Sequence, residues 1–153
     1  MKRINRSAAP SSFTELITKH CPANWDEFVL NHPDVYREIR ESLLRDQLMT
    51  SGYTELPLEL NGAIHIDHFR KKGIFGTEEL FHWENFIVDE RDNMQYGAGY
   101  KDAHVNTREI YNKIISPVLE IPEDYLTYMS DGSIIPLRSL TNTDMIDKAR
   151  TTI

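Results

Sequence analysis

The chain has 153 residues, 40% hydrophobic and 27% charged, enough apolar material for one domain with a buried core and too much for a disordered or collagen-like polymer. Seventeen Lys and Arg against 24 Asp and Glu give a formal charge of −7 at pH 7, the wrong overall sign for a protein that coats nucleic acid, though compatible with a short local basic strip. No apolar run approaches the ~18 residues of a transmembrane helix and the start, Met1-Lys2-Arg3-Ile4-Asn5-Arg6, lacks the apolar centre of a secretory signal, so a cytoplasmic protein without membrane contact is expected.

A single domain over 1–153 is expected, with an N-terminal helical part at 1–50, a central part at 51–104 and C-terminal helices and a hairpin at 105–153. Ser7 to Ser12 reads as a connector. Trp25 to Leu30 predicts a short helix. Pro33 then opens a longer one, on which Val35, Tyr36, Ile39, Leu43, Leu44 and Leu48 recur at helical spacing to about Met49. Beyond Ser51-Gly52, the pair Asn61-Gly62 between Tyr53–Leu60 and Ala63–His68 predicts a hairpin. Alternation on its second strand sends Ile64 and Ile66 to one face and His65 and Asp67 to the other, with His68 at the strand's end.

Arg70-Lys71-Lys72-Gly73 follows as a basic loop and Thr77 to Trp83 as a short helical turn. Phe86-Ile87-Val88 is buried in character, Asp89 to Asn93 is polar, and a small helix is expected near Tyr96–Asp102. Asn106 with Glu109 marks a helix start, with Ile110, Tyr111, Ile114 and Ile115 as its apolar face and Pro117 after its end. Tyr125–Met129 and Ser133–Leu137 flank Ser130-Asp131-Gly132 as a second hairpin, and a last helix spans Asp144 to Ile153.

The order helix, hairpin, Asp-His, Asn, polar helical segment resembles that of an HNH, or ββα-metal, endonuclease. Ile66-Asp67-His68-Phe69-Arg70-Lys71-Lys72 and Trp83-Glu84-Asn85-Phe86 resemble the acid-His-Phe-Arg-Pro-Lys and Trp-x-Asn-Leu elements of HNH subunits in Septu-type and retron-associated anti-phage systems. Lys2-Arg3-Ile4-Asn5-Arg6 with Pro10, and Lys148-Ala149-Arg150-Thr151-Thr152-Ile153, are similar to that family's two ends, so the likeness spans nearly the whole chain. The family usually continues past this Thr-Ile, so an abbreviated end is expected.

The resemblance implies an α+β fold in which a β-hairpin and helix form an HNH core between N- and C-terminal helices. It also implies hydrolysis of phosphodiester bonds in DNA or RNA, and an ATPase partner that gates the nuclease within an antiviral defence system. Such cleavage needs an activated water and a cation against the charge building on phosphate. His68 is then the general base and Asn85 the brace of its loop. Asp67 and Asn93 hold Mg²⁺ or Mn²⁺ through oxygen, and Arg70, Lys72 and Lys101 contact flanking phosphates.

Two departures set this chain apart. The family commonly carries two Cys pairs for a structural zinc, whereas Ser51-Gly52-Tyr53-Thr54 and Glu90 to Asn93 hold no thiol and Cys21 is the only cysteine, so no structural zinc is expected. Lys71 stands where the family has proline. These motivate the alternatives of a catalytically degenerate HNH-fold scaffold and of a nucleic-acid binder that does not cut.

Plainer readings stand beside these. Asp67-His68 alone is also an ordinary surface turn, Asn85 satisfies a turn as readily as it braces a site, and Arg70-Lys71-Lys72 is compatible with a solvated run. A zinc site from His65 and His68 with His82 or His104 is disfavoured, because strand spacing points the first two to opposite faces. Tyr96–Tyr100 lacks the Gly-Lys-Ser/Thr of a nucleotide-binding loop, and Trp25 and Trp83 read as core.

Overall fold

The computed structural model describes residues 1–59, 64–90 and 95–153. Three helices come first: α1 (Ser11–His20), α2 (Trp25–Asn31) and α3 (Pro33–Asp46). The sequence reading has no helix before Trp25, yet α1 opens inside the expected connector. Phe13, Leu16 and Ile17, spaced i, i+3 and i+4, give it an apolar stripe that packs on the core. In α2, Asn24 caps the first turn by accepting the Glu27 N–H at 2.8 Å.

α3 stops at Asp46, three residues short of the expected end at Met49, and Leu48 lies 70% exposed instead of on the buried face. The cause is Gln47. Its carboxamide donates to Thr50 O and Val88 O and accepts from Val88 N–H, each at 2.8 Å, which pins the helix end to a strand. The Met49 N–H turns back to Leu44 O, and Leu48 and Met49 take left-handed backbone at φ 55° and 61°, closing the helix without glycine.

The expected pairing of Tyr53–Leu60 with Ala63–His68 is replaced by another. β1 (Ile64–His68) pairs antiparallel with β2 (Phe86–Glu90), in the register Ile64↔Glu90, Ile66↔Val88 and His68↔Phe86. Among the described residues, the segment after Ser51 contributes an isolated bridge, Thr50↔Pro57, and no strand, and the Asn61-Gly62 pair lies outside the described residues. Phe86 and Val88 offer Ile64 and Ile66 buried partners on one face. In the segment after Ser51, Leu58 joins the same core, but Leu56 lies 49% exposed and Pro57 has no N–H to donate to a ladder.

Both faces of this ribbon are covered. Ile64, Ile66, Phe86 and Val88 pack with Phe13, Trp25, Phe28, Ile39, Leu43 and Leu44 of the three helices. On the other face Ile87 joins Ile4, Phe69, Phe75, Val105, Tyr111, Ile114 and Val118. That is why Phe86-Ile87-Val88 is continuously apolar instead of alternating.

Between the strands lie α4 (Lys72–Phe75), where a basic loop is expected, and single 3₁₀ turns at Gly76–Glu78 and Trp83–Asn85. After β2 come α5 (Gly97–His104) and α6 (Arg108–Tyr111), the latter capped by Thr107 instead of Asn106. The C-terminal hairpin pairs β3 (Leu126–Tyr128) with β4 (Ile134–Pro136) across Gly132 at φ 85°, and α7 (Thr143–Thr152) follows. The architecture is α+β. No described helix is long and apolar enough to cross a membrane.

Candidate active site

His68 ends β1 on the same face as Ile64 and Ile66, because residues two apart share a face of a strand. Its side chain therefore turns toward the N-terminal helices, where the Trp25 ring stands edge-on at 4.5 Å between centroids and the Phe86 ring edge-on at 5.2 Å. Nε2 meets the Leu80 carbonyl at 3.0 Å, so the neutral tautomer protonated at Nε2 leaves Nδ1 as the basic nitrogen. Burial pushes the imidazole pKa down to about 4, despite the Leu80 hydrogen bond acting the other way. The ring is neutral at pH 7 and can accept a proton.

Asn85 sits at the end of the 3₁₀ turn before β2, 4% exposed. Its Oδ1 accepts the Arg70 N–H at 2.7 Å, and its Nδ2 donates to Arg70 O at 3.2 Å and Glu79 O at 2.9 Å. Phe69 N–H also bonds Asn85 O at 2.8 Å. One residue thus ties the segment after His68 to the loop that supplies the Leu80 carbonyl.

Asp67 points to the opposite face from His68, and Oδ2 accepts from the Tyr53 hydroxyl and lies 3.0 Å from Lys101 Nζ. Lys101, assigned a flanking phosphate in the sequence reading, is only 6% exposed. Its ammonium donates to His68 O at 2.8 Å and Phe69 O at 3.0 Å and pairs with Asp102 Oδ1 at 2.9 Å. Burial works against its charge, but attraction from Asp67 and other neighbours outweighs this and raises its pKa. Tyr53 is held protonated by burial and by Asp67 beside it.

Arg70 pairs with Glu79 and lies over the Phe75 ring at 5.5 Å, so it too has a protein partner where the sequence reading gives it phosphate. Lys72 is exposed, 5.9 Å above the Trp25 ring. Asn93 lies outside the described residues. His65 faces away from His68, and among the described residues no three His, Cys, Asp or Glu side chains converge as a metal site.

Asp67, His68, Lys71, Lys72, Trp25 and Asp102 all border one open cavity of about 580 Å³. Lys71 spans its wall by donating to Asp102 O at 2.9 Å. At the far side of the ribbon, buried Asp89 accepts the Ala98 N–H at 2.6 Å and so caps the first turn of α5, which carries Lys101. Sequence reasoning missed Trp25, Tyr53 and Asp102 as members of the site. The only available signal was the adjacency of Asp102 to Lys101, since Trp25 and Tyr53 arrive from distant segments.

Compared with known proteins, the chain matches no protein-family model and no curated sequence.

Proposed function

We propose that this protein is an HNH-type endonuclease that hydrolyses phosphodiester bonds in nucleic acid, with His68 as general base. The observation that carries the reading is the state of His68: a neutral imidazole at a strand end, its Nε2 bound to Leu80 O, on a cavity bordered by Lys71 and Lys72. The chain order β1, braced loop, β2, α5 supports it further, since a ββα-metal core has that order.

Nδ1 takes the proton of the attacking water, and Asn85 keeps the ring in place by fixing the backbone on both sides of it. Lys72 lies free of a carboxylate partner within ion-pair distance among the described residues and attracts phosphate oxygens. A hard divalent ion on Asp67, with Asn93 as its second oxygen ligand, supplies charge neutralisation at the phosphate when bound. Asp67 has the right donor chemistry, but its Oδ2 is already engaged by Tyr53 and Lys101. The resemblance adds a role in anti-phage defence beside an ATPase partner.

The engagement of Asp67 favours one second reading, a degenerate HNH-fold subunit that binds a partner and does not cut. Incubation of the purified chain with plasmid DNA, single-stranded DNA and tRNA, in Mg²⁺, Mn²⁺ or EDTA, separates the two. Ion-dependent cutting establishes the nuclease, and uncut substrates with retained partner binding establish the scaffold.

A further inference from the structure

The Lys101 ammonium is enclosed by four protein oxygens: Asp67 Oδ2 at 3.0 Å, Asp102 Oδ1 at 2.9 Å, His68 O at 2.8 Å and Phe69 O at 3.0 Å. Two carboxylates and two strand-end carbonyls are the donor types a hard cation selects, and a tethered cation already fills the space among them. Lys101 reaches this point because α5 is anchored behind the ribbon: Gly97 at φ 72° lets Asp89 approach so closely that an added Cβ would stand 2.3 Å from Asp89 Oδ2.

We infer that Lys101 is a built-in competitor for the divalent ion, so that an ion engages Asp67 only when the lysine withdraws. This rests on the nuclease reading for its biological meaning, but the competition itself is a property of Asp67 and Lys101. The arrangement has a physical rationale. Asp67 is 7% exposed, and a buried carboxylate with no cation beside it is strongly destabilising, so the pair keeps the resting protein stable without an ion. Ion binding then exchanges one compensating charge for another. The lysine, which itself borders a second cavity with Tyr53, Phe69 and Tyr100, is then free to meet an anionic partner such as a phosphate.

Direct Mn²⁺ binding, read by the loss of the free-ion electron paramagnetic resonance signal, tests this without any turnover. If the withdrawn state is populated at about 0.1–10%, Lys101→Met tightens Mn²⁺ binding by about ten- to thousandfold, and Asp67→Ala added to it abolishes the gain. Equal Mn²⁺ affinity in wild type and Lys101→Met, or a gain that survives Asp67→Ala, overturns the inference. Should Lys101→Met fail to fold, amine-reactive labelling of the wild-type chain replaces it. Lys101 is protected without ion and becomes reactive when Mn²⁺ saturates the site, whereas protection that persists at saturation, or a chain that binds no Mn²⁺ at all, overturns it. Cutting assays run in parallel separate the two claims: competition without cutting leaves the tethered cation and removes the nuclease, and cutting without competition does the reverse.

Discussion

The indole of Trp25 stands edge-on to the imidazole of His68, with ring centroids 4.5 Å apart and planes at 85°, so a helix near the N-terminus sets the environment of a base on a strand forty-three positions later. The indole, with Phe86 on another side, buries part of the ring and so disfavours the charged imidazolium. Trp25→Leu keeps an apolar contact but reopens that side. In this variant the acid limb of the cleavage rate moves up from about 4 toward the ordinary histidine value of about 6.5, while the rate at pH 8 changes little. An unchanged acid limb in a folded Trp25→Leu protein contradicts the assignment.

The same depressed pKa makes stability depend on pH. Between pH 6.5 and about 4 the unfolded chain binds a proton at His68 that the folded chain does not, so folding stability is full above 6.5 and falls as the pH drops through that window. The contribution reaches about 3 kcal/mol across the whole window. Urea titrations at pH 7 and pH 5 measure it, and His68→Gln, which does not titrate, flattens the difference.

Asn85 is tested by charge without change of shape. Asn85→Asp retains an acceptor for the Arg70 N–H but turns two donors, toward Arg70 O and Glu79 O, into oxygens facing oxygens. A loss of about 2–3 kcal/mol in urea unfolding is expected, together with reduced cutting. If Asn85→Asp is as stable as wild type, the loop is not held by this amide.

Gly97 and Gly73 form a matched pair. At Gly97, φ 72° and the Asp89 carboxylate leave no room for a Cβ, so Gly97→Ala costs about 2 kcal/mol and loosens α5. At Gly73, in α4, a Cβ meets nothing within 4 Å, and Gly73→Ala is neutral or stabilising by a few tenths of a kcal/mol. Thermal denaturation of the two variants checks both signs at once.

Local patterning carried much of the architecture. The helix opened by Pro33, the α5 segment, the hairpin at Asp131-Gly132 and the last helix are all legible, because each is a local run with its own start or stop signal. The first hairpin was misread for an equally physical reason. Asn61-Gly62 is a strong local turn signal, whereas the partner of β1 is decided by burial on a shared face, which brings in Phe86 and Val88 from across a 17-residue connection. Leu48 fits the helical period and is still expelled, because the Gln47 amide binds Val88.

At the site, Asp67, His68 and Asn85 stand out in the sequence, since a strand-end acid-His pair and a following Asn are visible as a pattern. What they touch is not visible. That Lys101 turns inward to Asp67, and Arg70 to Glu79, instead of outward to phosphate depends on where α5 and the 3₁₀ turns dock.

The most direct test of the account is cleavage by wild type and His68→Ala side by side, on plasmid DNA, single-stranded DNA and tRNA at saturating Mn²⁺, with circular dichroism confirming that both are folded. The account predicts cutting of at least one substrate by the wild type, abolished by EDTA, and a loss of about a hundredfold or more in His68→Ala. Cutting by folded His68→Ala at the wild-type rate, or no cutting of any substrate by the wild type, contradicts it.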